Sequence, residues 1–87
     1  MDLRVLRYFL AVAREESISR AAQAVHITQP SLSRQIMDLE RELKTKLFER
    51  GRKKRRLMLT PAGALLRKRA EELVLLADKT KTEFLSQ

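Results

Sequence analysis

Five polar residues, Gln29, Ser31, Ser33, Arg34 and Gln35, crowd into the seven-residue stretch QPSLSRQ. Their chemistry is that of reading bases. Arginine can pair bidentately with guanine, glutamine with adenine, and serine can meet either a base edge or a phosphate. Downstream, six of the seven residues from Arg50 to Arg56 are Lys or Arg. Such a run neutralises phosphates without regard to sequence. Polar residues on the outer face of a helix are ordinarily just solvated, and charge runs are ordinarily solvated tails. What raises these two above that level is the frame that surrounds them.

Other chemistries find little support. There are no cysteines and a single histidine, His26, so disulfides, thiolate metal sites and a histidine-built zinc site are excluded. His26 is expected to pack or bond at a turn rather than to sense pH. The carboxylate pairs Glu15-Glu16 and Glu71-Glu72 are sequence neighbours and do not share a helical face, which leaves general acid/base work unsupported. Gly51 and Gly63 are isolated and form no phosphate-cradling loop. The expectation is a binding protein, not an enzyme, with no metal and no cofactor.

The frame is legible from periodicity. Leu3, Leu6, Phe9, Leu10 and Ala13 recur at three- and four-residue steps and predict a first helix over about 2–15 with that face in the core. Ser17 and Ser19 both offer N-cap oxygens for a short alanine-rich second helix ending near Val25. After the turn His26-Ile27-Thr28, the residues Leu32, Ile36, Leu39 and Leu43 fall at i, i+4, i+7 and i+11 and predict a third helix. Thr28 can cap it, with Pro30 in the first turn where its missing N–H costs nothing; Gln29 is the alternative cap, since a residue before proline avoids the α region. A short helix, a tight turn and a second helix form a helix-turn-helix, which presents the N-terminal residues of its second helix to the major groove. Asp38, Glu40 and Glu42 lie further along, where they need not approach phosphates.

The period then changes. Leu47-Phe48-Glu49-Arg50 and Leu57-Met58-Leu59 read as two short strands around the basic run, too short to stand without the helices. A structured basic hairpin would lie along the backbone or dip into the minor groove. Thr60-Pro61 is a strong helix start. The last helix, on the order of 35 to 40 Å long at 1.5 Å per residue, carries more apolar residues than one small core can bury. Leu66, Leu73, Leu76, Ala77 and Phe84 are therefore expected to meet a partner helix. The predicted fold class is mainly α: a winged helix-turn-helix of three helices, a two-stranded wing and a long C-terminal helix, divided into residues 1–60 for DNA binding and 61–87 for linkage and dimerisation.

At 87 residues with a formal net charge of +8, the chain is one small domain suited to a polyanionic partner, nucleic acid ahead of an anionic membrane. The apolar run from Tyr8 to Ala13 is too short for an export signal and is bracketed by Arg7 and Arg14. No stretch is long enough to span a bilayer, so the expectations are no membrane association and a cytoplasmic setting.

Read together, Ser19-Arg20-Ala21-Ala22, Thr28 to Ile36, Leu39-Glu40, Leu47 to Arg50 and Leu59 to Gly63 closely resemble the N-terminal winged helix-turn-helix of the LysR-type transcriptional regulators. The resemblance covers nearly the whole chain. It implies a bacterial transcription factor that binds double-stranded DNA as a homodimer through its C-terminal helix, and as a tetramer in some full-length chains. By the same resemblance Gln29, Pro30, Ser31, Ser33 and Arg34 take the major-groove role, and Thr28, Gln35 and Ser19 are further DNA-binding candidates beside them. Arg50, Arg52, Lys53 and Lys54 take the wing role. Family members continue into an effector-binding domain that takes a small metabolite, and this chain stops at the linker helix. Two departures stand out. Lys44 occupies the place where the family usually ends the recognition helix with glycine, so the left-handed cap is expected to be strained or replaced by another turn. The wing is also longer and more basic than usual. The rival readings are a protein-interaction module with the same fold and a sequence-indifferent architectural DNA-binding protein.

Overall fold

In a computed structural model that describes residues 1–51 and 56–86, helix α1 (Leu3–Glu15) opens under an Asp2 cap whose carboxylate accepts from the Val5 N–H at 2.8 Å. It closes on Glu16 in the left-handed region, φ 56°. Helix α2 (Ile18–Val25) is capped by Ser17, not Ser19, and closes on His26, again left-handed at φ 62°. Helix α3 (Gln29–Leu43) starts under Thr28, whose hydroxyl accepts from the Ser31 N–H at 3.2 Å, and Pro30 sits in its first turn. Of the two caps the sequence allows, Thr28 is the one used.

Of the two outcomes expected where α3 ends, the strained left-handed cap is the one found. Lys44 adopts the left-handed conformation itself, φ 58° and ψ 37°, and the cap N–H bonds to the Arg41 carbonyl at 3.2 Å. A non-glycine residue there costs on the order of 1 to 2 kcal/mol. The turn is kept and the strain is accepted, as it is at Glu16 and His26.

Strands β1 (Phe48–Arg50) and β2 (Leu57–Leu59) pair antiparallel, Phe48 opposite Leu59 and Arg50 opposite Leu57. Leu47, expected within the first strand, lies just before it and is fully buried. Helix α4 (Pro61–Leu85) begins under Thr60, whose hydroxyl accepts from the Gly63 N–H at 3.0 Å and donates to the Lys46 carbonyl at 2.7 Å. Gly63 is required at that crossing. A Cβ there would meet the Leu47 carbonyl oxygen inside contact distance and the Leu59 side chain at 2.9 Å.

One core joins these elements. Leu6, Phe9 and Val12 of α1, Ala21 and Ala22 of α2, Leu32, Ile36 and Leu39 of α3, and Ala70 of α4 are buried together with Leu47. The small Ala21 and Ala22 allow α2 to approach closely. Phe48 stacks on Phe9 in a tilted arrangement, centroids 5.3 Å apart, which carries the wing onto the core. The expected α1 face needs one correction: Leu3 is 41% exposed, whereas Ala11 and Val12 are buried. Helices α2, α3 and α4 all pack on α1, so its covered arc is wider than a single stripe.

The first part of α4 belongs to this core, with Gly63 and Ala70 buried and Leu66 and Val74 packed against it. The rest projects away, giving the molecule extents of 51 × 25 × 20 Å. No helix among the described residues is long and apolar enough to cross a membrane.

Candidate nucleic-acid interface

The stripe of Leu32, Ile36 and Leu39 fixes how α3 is rotated, and the rotation decides which side chains face outward. At about 100° per residue, Pro30, Met37, Arg41 and Arg34 fall within an arc of about 60° on the side opposite that stripe. Pro30, Arg34 and Met37 are exposed accordingly, and so are Thr28, Gln29 and Ser31 at the helix entrance. Ser33 lies at the edge of the arc and Gln35 beside the buried stripe, and both are half-buried.

The entrance is held by short polar contacts. Thr28 Oγ1 donates to Ser31 Oγ at 2.8 Å, and Ser19 Oγ donates to Gln29 Oε1 at 3.3 Å. Ser19, at the start of α2, thereby sits beside the first residue of α3 and biases the orientation of its amide. No hydrogen bond or ion pair engages Arg34 among the described residues, so its guanidinium fork is available to a ligand.

The carboxylates of α3 are each turned to other work. Asp38 accepts from Arg41 Nη1 at 2.7 Å, and Glu42 accepts from the terminal ammonium of Met1 at 2.9 Å. Glu40 points inward, where its Oε2 accepts from the Leu47 N–H at 2.7 Å and the Phe48 N–H at 3.4 Å. This one side chain fixes the start of β1 to the recognition helix. Behind it, the Thr60 N–H donates to the Leu47 carbonyl at 3.0 Å.

The wing is anchored from its other strand as well. The Leu57 N–H donates to the Glu16 carbonyl at 3.1 Å, and Arg56 Nη2 donates to the Glu16 carboxylate at 2.6 Å. The left-handed turn at Glu16 aims both groups at the wing base. Arg50 is exposed at the end of β1, and the Gly51 N–H bonds to the Arg56 carbonyl at 2.9 Å. Arg52, Lys53 and Lys54 lie outside the described residues.

His26 bonds at the turn rather than packing: the residue is exposed, and its backbone N–H donates to the Gln23 carbonyl at 3.3 Å. The wing-anchoring roles of Glu40 and Glu16, and the outward place of Met37, are not among the sequence expectations. The signal for Met37 was present: an apolar residue four after Ser33 and three after Arg34, on an otherwise polar face.

A separate apolar groove runs along the outer half of α4, lined by Leu3, Leu73, Leu76, Ala77, Thr80 and Phe84. Phe84 is 75% exposed, and Leu73 and Leu76 are exposed too. Leu66 is different, being half-buried against the core. At this level Arg7 Nη2 donates to Asp78 at 2.7 Å, tying α1 to α4. The hydrogen bond from Arg7 holds the Asp78 carboxyl below its ordinary value, with the charges of Arg7 and Lys81 acting in the same direction.

A family model described as bacterial regulatory helix-turn-helix protein, lysR family, matches residues 3–64. The chain belongs to this family. Among curated relatives, the HTH-type transcriptional regulator BsdA of Bacillus subtilis (strain 168) is 49% identical over 74 residues, which cover 85% of this chain and 25% of that protein. Among solved structures, the BenM DBD in complex with catB site 1 DNA superposes with a TM-score of 0.92 at 42% identity, covering 99% of this chain and 93% of that one. BenM is a regulator of Acinetobacter baylyi (strain ATCC 33305 / BD413 / ADP1). The CbnR DBD–DNA complex gives a TM-score of 0.89 at 34% identity, with 99% and 97% covered. The winged helix-turn-helix described above is thus a LysR-type DNA-binding domain. The chain spans between 20% and 53% of the length of the curated relatives it matches.

Proposed function

We propose that this LysR-family domain binds double-stranded DNA sequence-specifically, as a homodimer, within a bacterial transcriptional regulator. The observation that carries the reading is the outward face of α3, where an exposed Arg34, unpaired among the described residues, stands beside Pro30, Gln29 and Ser31 on a rigidly capped helix. In this account Gln29, Ser33 and Arg34 meet base edges in the major groove, with Thr28, Ser31, Gln35 and Ser19 contacting backbone or orienting those readers. Arg50 and the basic residues Arg52, Lys53 and Lys54 supply phosphate contacts at the neighbouring backbone and minor groove. Relatives of the same fold have been solved in complex with DNA, which supports DNA contact by this domain.

Residues 1–60 form the DNA-binding unit and 61–87 the linkage and dimerisation helix, with the first turns of α4 serving both. Leu73, Leu76, Ala77 and Phe84 form the dimer seam, whereas Leu66 acts mainly within the protomer core. Two recognition helices related by a twofold axis would match two half-sites of a roughly palindromic operator. A metabolite effector would act through a further domain of a longer protein. The domain itself is a cytoplasmic binding module with no catalytic role and no cofactor.

The test is selection of binding sites from a random duplex pool, followed by gel shift at low and moderate salt. An enriched, inverted-repeat motif is expected. Shifted DNA without an enriched motif would favour an architectural protein, and no shift even at low salt would favour a protein-interaction module.

A further inference from the structure

Met37 is 55% exposed in the middle of the face that the DNA-binding reading assigns to the groove. Everything around it has an evident use. Leu32, Ile36 and Leu39 are the buried stripe, Asp38 is held by Arg41, and Glu40 pins the wing. Met37 alone offers an unbranched apolar side chain outward, within the same arc as Pro30 and Arg34. It also lines the concave surface between α3 and the wing, together with Ser33, Lys46 and Arg50. A solvated helix face gains nothing from an exposed methionine at that position.

The major groove displays one apolar group, the C5-methyl of thymine, and side chains that contact it discriminate thymine from cytosine. Methionine is flexible and polarizable, so it can follow that methyl without demanding a single rotamer. We infer that Met37 is a specificity-determining residue that packs against a thymine methyl, extending the reading head beyond the polar residues of the helix entrance.

The register follows from helix geometry. Met37 lies eight residues beyond Gln29, about 12 Å along the axis at 1.5 Å per residue. It therefore addresses a base pair further along the groove than the one Gln29 meets. The adjacent Asp38 does not oppose this approach, because its carboxylate is neutralised by Arg41 at 2.7 Å.

The inference rests on the DNA-binding reading, and its test separates the two. A duplex selected by the wild-type chain is rebuilt with each thymine replaced singly by deoxyuridine, which removes the methyl and leaves the pairing edge unchanged. The wild type should lose about fourfold in affinity at one such position, the worth of burying one methyl-sized group. Met37→Ala should lose a similar factor on the unmodified duplex and become indifferent to that replacement, while Met37→Leu should keep the discrimination. Because the side chain is exposed, none of these variants disturbs the core, and thermal unfolding checks that directly. If the wild type is indifferent to every replacement, or if Met37→Ala discriminates as well as the wild type, the inference is overturned and the DNA-binding reading stands. If the wild type prefers no duplex at all, both fall.

Discussion

Replacing Glu40 with alanine should loosen the joint between α3 and β1, and the size of the effect can be worked from its contacts. The Glu40 side chain is 12% exposed, and its Oε2 is the acceptor for the Leu47 N–H at 2.7 Å. Leu47 is fully buried behind that carboxylate, so removing the carboxylate takes the acceptor from a donor shielded from solvent. An orphaned buried donor costs about 1 to 3 kcal/mol. The longer contact to Phe48, at 3.4 Å, adds little. Loss of the buried methylene contributes about 0.8 kcal/mol. The ion pair with Lys46 is 3.8 Å long with the lysine 80% exposed, and it is left out of the sum. Glu40→Ala should therefore lose about 2 to 4 kcal/mol. Glu40→Gln keeps an amide oxygen in the same place and forfeits only the charge assistance, about 1 kcal/mol. For a domain of this size each kcal/mol moves Tm by about 4 to 8 °C. Thermal and urea unfolding at one fixed protein concentration would measure both variants. Equal losses for alanine and glutamine, or losses below about 0.5 kcal/mol for both, would refute the assignment of Glu40 as the buried acceptor that fixes β1.

Three further outcomes are expected. Lys44→Gly should stabilise the domain by about 0.5 to 1 kcal/mol in urea unfolding, because glycine adopts the left-handed cap without the Cβ penalty while giving back some unfolded-state entropy. Gly63→Ala should destabilise by about 1 to 3 kcal/mol or more in the same measurement, since its Cβ meets backbone at Leu47. Charging the groove with Leu73→Glu and Leu76→Glu should convert a dimer into a folded monomer in sedimentation at micromolar concentration; a wild type that is already monomeric there would remove α4 from the proposed assembly.

The features legible in the sequence are those set by local chemistry. Thr28 with Pro30, and Thr60 with Pro61, start their helices where a cap and a first-turn proline require it. The spacing of Leu32, Ile36 and Leu39 alone sets the outward face of α3. What stayed hidden depends on distant partners. Glu40 and Glu42 look alike as helix carboxylates, yet one turns inward because Leu47 and Phe48 arrive beside it with unpaired N–H groups. The arc of α1 was read as one stripe, although three helices cover it and bring Val12 inside at the expense of Leu3. The left-handed turns at Glu16 and His26 carry no glycine to announce them. Arg7 and Asp78 are 71 positions apart, and only the folded chain brings them together.

The central claim is that the entrance of α3 reads bases, and Arg34→Ala tests it most directly. Affinity is measured for wild type and variant on the selected duplex and on a random duplex of equal length at the same salt. The account predicts a loss of roughly 1 to 3 kcal/mol on the selected duplex and little change on the random one. Equal losses on both would make Arg34 a phosphate contact and contradict the account.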